Sequence, residues 1–247
     1  MKGVILAGGT GSRLHPLTRI TNKHLLPIYD RPMISYAIEA LVSAGIGEIM
    51  LVTGGTHAGE FLRLLGNGHE YGIDRLSYAY QEKAGGIAEA LGLAEKFVSD
   101  DRCVVLLADN VFERSVKPCV EAFRKQKLGA RVVLSKEANM THLRNLGVAQ
   151  FDGSRRIERI VEKPQSPPSE FAVTGIYFYD ESVWKALPEL KPSGRGELEI
   201  TDVNNWYLAK GLMEYDVLGG FWGDAGESID AYYAVNDFVR AHGTNKS

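Results

Sequence analysis

The stretch that decides the fold is Val4-Ile5-Leu6-Ala7 followed by Gly8-Gly9-Thr10-Gly11-Ser12-Arg13-Leu14. A short apolar run bounded by glycines predicts a buried β-strand that ends in a tight turn. Glycines let consecutive backbone N–H groups point at one place, where an anion can replace the water that they lose. Arg13 and, further along, Lys23 bring positive charge to the same turn. The segment therefore predicts a strand that opens into a loop for a polyphosphate.

Two familiar phosphate-binding motifs do not match this loop. The dinucleotide fingerprint requires a third glycine where Leu14 stands, and the P-loop requires Gly-Lys followed by Ser or Thr. The glycines alone are also compatible with a purely structural turn. The neighbouring basic residues are what favour a phosphate ligand.

The first half of the chain alternates strand and helix patterns, which is typical of a mostly parallel sheet covered by helices on both faces. Strands are predicted at residues 3–7, 48–53, 76–81 and 103–108. A helix is predicted at 33–44 and is expected to end at Gly45. In such a sheet, ligands bind at the carboxyl ends of the strands. We therefore expect the glycine loop, Gln81 and Asp109 to meet at one edge.

The pattern changes in the second half, where strands are predicted at 130–135, 147–151, 156–161 and 172–179. Too few residues separate these strands for helical crossovers, so a mixed extension of the sheet is expected. Helices are predicted at 181–187, 199–210 and 228–241, and residues 242–247 are expected to fray. The sequence thus predicts an α/β fold with a Rossmann-like, mostly parallel central sheet flanked by helices, and a mixed β extension.

Composition narrows the classes of protein that fit. The 247 residues include 28 basic and 31 acidic side chains, a net charge of −3, so no basic field favours nucleic acid as a partner. No apolar stretch approaches the ~20 residues that span a bilayer, and no signal segment is expected before the first strand. Cys103 and Cys119 lack metal-ligand spacing and are expected to be buried free thiols. These features favour a cytoplasmic protein.

Further motifs follow the glycine loop along nearly the whole chain. They are Asn22-Lys23-His24-Leu25-Leu26-Pro27-Ile28, Gln81 with Gly85-Gly86-Ile87-Ala88, Asp109-Asn110, Glu162-Lys163-Pro164, Val173-Thr174-Gly175-Ile176-Tyr177, Arg195-Gly196-Glu197-Leu198-Glu199-Ile200-Thr201-Asp202, and Trp222 with Asp224. Together they resemble the sugar nucleotidyltransferases, and most closely the glucose-1-phosphate thymidylyltransferases.

This resemblance implies a Mg²⁺-dependent transfer of a thymidylyl group from dTTP to glucose 1-phosphate, which gives dTDP-glucose and pyrophosphate. It implies a single domain in which residues 1–129 bind the nucleotide and residues 130–226 bind the sugar phosphate. Residues 227–247 would then form a C-terminal helix and tail. A sugar 1-phosphate is already an oxyanion, so the reaction requires neutralised charge and alignment and no protein nucleophile.

The first set of expected site residues binds the nucleotide. Arg13 offers a planar fork of donors, and Lys23 offers a compact charge, both suited to phosphate oxygens. Gln81 presents one donor and one acceptor, which complement the N3–H and O4 edge of thymine or uracil. The residues that the resemblance assigns to nucleotide binding are Leu6, Gly8, Gly9, Thr10, Gly11, Ser12, Arg13, Gln81, Gly86 and Asp109.

The second set binds metal and sugar phosphate. Asp109 follows the apolar run Val104 to Leu107, and Asp224 lies in a glycine-rich turn, so both carboxylates are candidates for Mg²⁺; a turn or helix-cap role is the alternative. The resemblance assigns the sugar phosphate to Gly147, Glu162, Lys163, Val173, Tyr177 and Arg195. It assigns catalysis to Arg13, Lys23, Asp109 and Lys163. Without the other motifs, Glu162 and Lys163 would read as the solvated face of a strand.

Three residues depart from the family pattern. Ala108 stands where glycine is usual, and its methyl group is expected to approach bound nucleotide or sugar. Glu89 and His24 each replace a glutamine, so contacts at these two points are expected to differ. Trp222 packs either beside the metal turn, the glycine-rich turn that carries Asp224, or in the core. His15, His57 and His142 have no ligand-like spacing.

Two other activities remain open at this stage. A hydrophobic pocket discriminates the thymine methyl group by only ~1–3 kcal/mol, so a uridylyltransferase that uses UTP is one alternative. A catalytically weak regulator that binds nucleotide sugars is the other. By analogy with the family, the chain is expected to form a homo-oligomer, a dimer or tetramer. The chain ends soon after its last predicted helix, so the sequence leaves open whether the effector site of longer members is present.

Overall fold

The structure, a computed structural model, describes residues 1–246. Its strands are β1 (Lys2–Ala7), β2 (Pro27–Ile28), β3 (Arg31–Pro32), β4 (Glu48–Gly54), β5 (Arg75–Gln81), β6 (Cys103–Leu107), β7 (Asn110–Phe112), β8 (Ala130–Lys136), β9 (Gly147–Phe151), β10 (Ile157–Glu162), β11 (Phe171–Tyr179), β12 (Met213–Val217) and β13 (Trp222–Asp224). Its α-helices are α1 (Met33–Ser43), α2 (Ala58–Leu65), α3 (Ile87–Gly92), α4 (Glu95–Val98), α5 (Lys117–Lys125), α6 (Met140–Leu143), α7 (Val183–Ala186), α8 (Ile200–Ala209) and α9 (Ile229–His242).

One half of the nine-stranded central sheet is parallel. Strands β6, β1, β4 and β5 lie side by side in that order, and all three pairings are parallel. Ile5 of β1 packs on one face of the sheet, and Val4 and Leu6 pack on the other. Parallel strands buried on both faces are what the apolar runs predict. The expected α/β fold class is confirmed.

The other half of the sheet is mixed and continues the first half directly. Strand β11 is antiparallel to β6, β8 and β9, whereas β12 is parallel to β8. The register of β11 with β8 shifts between Val173 and Tyr177, and on its other edge β11 pairs with β9 at Ala172 and with β6 from Ile176 to Tyr179. The expected mixed extension is therefore part of the same sheet.

Helix α1 illustrates how local signals agree with the packing. Ile34, Ile38 and Leu41 recur at helical spacing and are all buried against the sheet. Gly45 ends the helix with a φ of 81°, and the N–H of Ile46 then donates to the carbonyl of Leu41. This is a left-handed helix end that glycine allows at little cost.

The structure differs from expectation at several element ends, among them those of β10, α7 and the C-terminal tail. Strand β10 begins at Ile157 and ends at Glu162, one residue later than expected at each end. Helix α7 covers only Val183–Ala186 and continues as a 3-10 turn over Leu187–Glu189, because Pro188 has no N–H to donate.

The third difference is the C-terminal tail, for which the expectation of fraying was wrong. The N–H of Asn245 donates to the carbonyl of Phe112, and that of Lys246 donates to the carbonyl of Glu113. Backbone acceptors beside β7 would otherwise lack partners. Ser247 lies outside the described residues. Within residues 1–246, no helix is long and apolar enough to cross a membrane.

Candidate active site

A cleft of about 310 Å³ opens at the carboxyl ends of the parallel strands. Its walls come from both halves of the chain: the glycine loop, Gln81 and Asp109 from the first half, and Glu162 and Arg195 from the second. The glycine loop, Gln81 and Asp109, which were expected at one edge of the sheet, do meet there. The mixed half of the sheet forms the facing wall.

The glycine loop is shaped by two left-handed glycines and an apolar anchor. Gly9 has a φ of 95° and Gly11 a φ of 64°, which side chains rarely adopt. The hydroxyl of Thr18 donates to the carbonyl of Gly11 at 2.7 Å and holds the turn. Leu14 is fully buried, so its neighbour Arg13 is directed outward to the mouth of the cleft.

Lys23, which is partly buried, and Asp109, which is buried, form an ion pair in the cleft. Burial raises the pKa of the Asp109 carboxyl, but the charge and hydrogen bond of Lys23 together with the other nearby donors outweigh burial and hold that pKa below its usual range. Burial also lowers the pKa of Lys23, and the charges of Asp109 and Asp224 reverse that shift. Both groups therefore stay charged, which is what a site for anionic phosphate and a cation needs.

Asp224 supplies a second carboxylate beside the first. It pairs with Asn110 across the short β7–β13 ladder, and its Oδ1 accepts from the N–H of Gly226 at 2.8 Å. Burial and the charge of Asp109 both raise the pKa of Asp224, and Lys23 offsets this only in part. A cation between the two carboxylates would relieve this repulsion.

The donor set fits Mg²⁺. Asp109 and Asp224 offer hard carboxylate oxygens. Gly226 lies against them, because a side chain at this position would collide with Asp109 and Lys23. No group of three or more His, Cys, Asp or Glu positioned for a metal occurs within residues 1–246. Mg²⁺ typically uses one or two carboxylates together with substrate phosphates and water. Two carboxylates beside an anion-binding loop meet that requirement.

Gln81 and the glycines after β5 form the far end of the cleft. Gln81 is only 7% exposed, and its Nε2 donates to the carbonyl of Gly86 at 3.2 Å and to Glu89 Oε2 at 2.8 Å. Gly86 has a φ of 102° and lies against the backbone of Leu198. The N–H of Leu198 donates to the carbonyl of Gly85, so the loop is tied to the facing wall.

The facing wall carries alternating cations and carboxylates. Arg195 donates to both oxygens of Glu199, at 2.8 and 2.9 Å, and Glu162 accepts from the hydroxyl of Thr201 at 2.6 Å. Lys163 lies 3.6 Å from Glu162 and has a left-handed φ of 46°. Such a backbone conformation is uncommon outside glycine and often occurs at functional positions. This wall can bind both a phosphate and sugar hydroxyls.

The comparisons with known proteins agree on one family. The nucleotidyl transferase family model matches residues 2–242. Glucose-1-phosphate thymidylyltransferase of Actinoplanes sp. is 43% identical over 244 residues, which cover 98% of this chain and 78% of that protein. The chain belongs to the nucleotidyl transferase family.

Other relatives lie within the same group. Glucose-1-phosphate thymidylyltransferase of Neisseria meningitidis is 43% identical and covers 96% of this chain and 82% of its own length. A Bacillus anthracis crystal structure, described as a candidate glucose-1-phosphate thymidylyltransferase in complex with a sucrose, is 50% identical with a TM-score of 0.91, covering 97% of this chain and 95% of that one. UDP-glucose pyrophosphorylase complexed with UDP-glucose is 25% identical with a TM-score of 0.83, covering 97% and 98%.

Most of the residues expected from the sequence line the cleft of this nucleotidyltransferase. They are Leu6, Gly8, Gly9, Arg13, Lys23, Gln81, Gly86, Asp109, Gly147, Glu162, Lys163, Val173, Tyr177, Arg195 and Asp224. Thr10, Gly11 and Ser12 belong to the same loop but do not line the cleft. Their role in nucleotide binding stays a prediction, as do the roles of the others.

Two departures from the family pattern have structural explanations. Ala108 is fully buried in an apolar cluster and does not line the cleft, so the expected approach of its methyl group to bound nucleotide was wrong. Successive side chains point to opposite sides here, so that of Ala108 and Asp109 it is Asp109 that faces the cleft. His24 is 1% exposed, and burial followed by the nearby Lys23 lowers its pKa to about 3, so it is a neutral neighbour of the ion pair.

Sequence reasoning missed a network behind the metal turn. The indole N–H of Trp222 donates to Asn110 Oδ1 at 2.6 Å, the N–H of Gly175 donates to the same oxygen at 2.9 Å, and Asn110 in turn donates to Asp109. His142 stacks on Trp222. Trp222 thus packs beside the metal turn and is also 91% buried. The Asp109-Asn110 and Trp222 motifs were the available signal; His142 had none.

Proposed function

We propose that this nucleotidyltransferase transfers a thymidylyl group from dTTP to glucose 1-phosphate in a Mg²⁺-dependent reaction that gives dTDP-glucose and pyrophosphate. The observation that carries the proposal is the Lys23–Asp109 pair with Asp224 beside it, in a cleft that the glycine loop lines on one side and Lys163 and Arg195 line on the other. The names of the curated relatives support the choice of substrates.

The reaction exchanges one P–O bond for another. An oxygen of the sugar phosphate attacks the α-phosphorus of dTTP, and the bond from that phosphorus to the β-phosphate oxygen breaks, so pyrophosphate leaves with its electron pair. The attacking oxygen is already ionised near neutral pH, so no side chain has to remove a proton. The protein's task is to hold two anions in line and to neutralise their charge.

The first wall of the cleft binds the triphosphate in this proposal. Arg13 at the loop mouth meets the outer phosphates, and the Lys23 ammonium follows the leaving pyrophosphate. Asp109 and Asp224 hold Mg²⁺, which when bound neutralises developing charge on the phosphate oxygens. Because Lys23 already pairs with Asp109, its ammonium is held in place before substrate arrives.

The facing wall binds the sugar phosphate in this proposal. Lys163 and Arg195 are the cations at that wall, and Glu162 is positioned to accept sugar hydroxyls. Arg195 is held by Glu199, because both carboxylate oxygens of Glu199 accept from Arg195 Nη2. Ordered cations are required because misplacement of either anion by about 1 Å lowers the rate by about a hundredfold.

A second candidate function is the use of UTP. A UDP-glucose pyrophosphorylase shares this fold at 25% identity over nearly the whole chain. Thymine and uracil present the same N3–H and O4 edge, so Gln81 does not separate them. The same experiment would also reveal a nucleotide-binding regulator, since such a protein binds dTTP without releasing pyrophosphate.

The proposal is tested by pyrophosphate release with Mg²⁺, glucose 1-phosphate and either dTTP or UTP. Asp109→Asn is expected to reduce the rate with dTTP at least about a hundredfold, because it removes one metal carboxylate and the partner of Lys23. Asp237→Asn, a matched change on the exposed face of α9, is the control and is expected to leave the rate unchanged.

Three results would change the proposal. Release with UTP alone would reassign the protein to uridylyl transfer. An unchanged rate in Asp109→Asn would remove Asp109 from the metal site. A folded protein that binds dTTP without releasing pyrophosphate would favour the regulator.

The same proposal includes a cytoplasmic location and a homo-oligomer of two or four chains. The first rests on the supply of nucleoside triphosphates in that compartment, and the second on analogy with the family. Sedimentation at several protein concentrations tests the second point, and a concentration-independent monomer would overturn it.

A further inference from the structure

Glu89 makes a contact in the cleft that the family's usual glutamine would make differently. Its Oε2 accepts from Gln81 Nε2 at 2.8 Å. The same nitrogen also donates to the carbonyl of Gly86 at 3.2 Å. Both hydrogens of the Gln81 amide nitrogen are therefore used inside the protein, and the side chain is 93% buried.

These two partners determine which way the Gln81 amide faces. A carboxylate and a backbone carbonyl can only accept hydrogen bonds. If the amide turned over, Gln81 Oε1 would face two other acceptors at hydrogen-bond distance, and the buried Gln81 amide would lose both of these hydrogen bonds. A glutamine at position 89 could turn with Gln81 and satisfy it in either orientation. Glu89 removes that freedom.

The orientation leaves one polar atom of Gln81 for a ligand. Its Oε1 lies beside Gly8, where the Cβ of any other residue would stand 2.9 Å away, and both residues line the cleft. Gly85 in turn leaves room for the Glu89 carboxylate, which a side chain there would meet. The sequence predicted both a donor and an acceptor at Gln81, whereas the structure presents the acceptor alone.

We infer that Glu89 is a positioning residue that makes this pocket selective for bases with a ring N–H at the position that Gln81 reads. This rests on the proposed function, in which Gln81 meets the base. Thymine and uracil carry N3–H and can donate to Oε1. Cytosine has an unprotonated N3 at the same place, so two acceptors would meet. The inference concerns rejection of cytosine and does not separate thymine from uracil.

The test is equilibrium binding of dTTP, dUTP and dCTP with Mg²⁺, measured by calorimetry on the full chain without sugar phosphate. The wild-type protein is expected to bind dTTP and dUTP at least about tenfold more tightly than dCTP, since Gln81 Oε1 and cytosine N3 would meet as two acceptors without a hydrogen between them. Glu89→Gln is expected to lower the ratio of the dCTP and dTTP dissociation constants at least about fivefold. Glu89→Ala is expected to lower it in the same direction.

Glu82→Gln is the matched control, because Glu82 is an exposed neighbour on the same loop and does not line the cleft. It is expected to keep the wild-type ratio. A thermal midpoint measured for each variant shows that the comparison is between folded proteins. A purely structural role of Glu89 would weaken all three nucleotides equally and leave the ratio unchanged.

The outcomes separate this inference from the proposed function. If the wild type binds dTTP and the ratio in Glu89→Gln and Glu89→Ala stays within about twofold of wild type, the inference is wrong and the proposed function stands. A wild type that binds dCTP as tightly as dTTP also overturns the inference alone. A wild type that binds no pyrimidine triphosphate overturns the proposed function and the inference with it.

Discussion

At the scale of single residues, neighbours in the chain have opposite surroundings at the end of β6. Ala108 packs in the apolar cluster that contains Ile5 and Phe112, whereas Asp109 faces the cleft and pairs with Lys23. The backbone is extended here, so successive side chains point to opposite sides. A substitution at Ala108 therefore acts on stability, and one at Asp109 acts on the site.

Ala108→Gly is expected to lower the free energy of unfolding by about 1–2 kcal/mol, from one lost buried methyl group and greater backbone freedom in the unfolded chain. The dissociation constant for dTTP is expected to stay within about twofold of wild type. Urea unfolding and calorimetric titration measure the two quantities. Much tighter binding of dTTP by the variant would mean that the methyl group does obstruct the cleft.

At the scale of elements, one histidine joins the segment around α6 to the turn that carries Asp224. His142 Nδ1 lies 2.5 Å from Glu137 Oε2, and its Nε2 lies 2.6 Å from Glu227 Oε2. Asn145 also donates to Glu227 at 3.0 Å. The contact with Glu227 raises the pKa of His142, burial lowers it, and the contact with Glu137 raises it again, so that it lies at about 9.

This linkage predicts how stability depends on pH. A histidine whose pKa rises from about 6.5 unfolded to about 9 folded stabilises the protein fully below pH 6.5, and this contribution is lost as pH rises through 9. The free energy of unfolding of the wild type is expected to exceed that of His142→Gln by about 1–2 kcal/mol at pH 6.5 and by much less at pH 9.5. Urea unfolding at both pH values measures the gap. A gap independent of pH would contradict the charged contact.

At the scale of the whole molecule, the two halves share one sheet and one pair of apolar clusters. The cluster on one face combines Ile5 and Phe123 with Val133 and Phe178, and the other combines Leu6 with Tyr207. Strand β11 of the second half pairs directly with β6 of the first. The halves on either side of residue 129 therefore depend on each other for burial of their cores.

We expect the chain to unfold as one cooperative unit, because neither half can lose its strands without exposing the core of the other. Amides in β1 and β11 are expected to exchange hydrogen with the same opening free energy, and urea unfolding is expected to show one transition. Native-state hydrogen exchange resolved by segment measures this. Opening of β11 while β1 stays protected would instead support two separable domains.

The parallel half of the fold and much of the site could be predicted because both depend on local patterns. Apolar runs bounded by glycine or by Asp109 predicted β1, β4, β5 and β6, and their carboxyl ends had to share an edge. The C-terminal tail could not be predicted, since its partners at Phe112 and Glu113 lie far away in sequence. The contact of His142 could not be predicted for the same reason, because its partner Glu227 lies 85 residues further along the chain.

The sequence by itself determined the alternation of strands and helices in the first half, the anion-binding loop and the identities of the charged groups, because these follow from side-chain chemistry and short-range spacing. Only the tertiary structure decided that Ala108 faces the core, that the tail is paired and that Gln81 offers an acceptor alone. Each of these depends on which distant atoms surround a group. The side-chain chemistry of Gln81 allows both orientations, and the contacts with Gly86 and Glu89 select one.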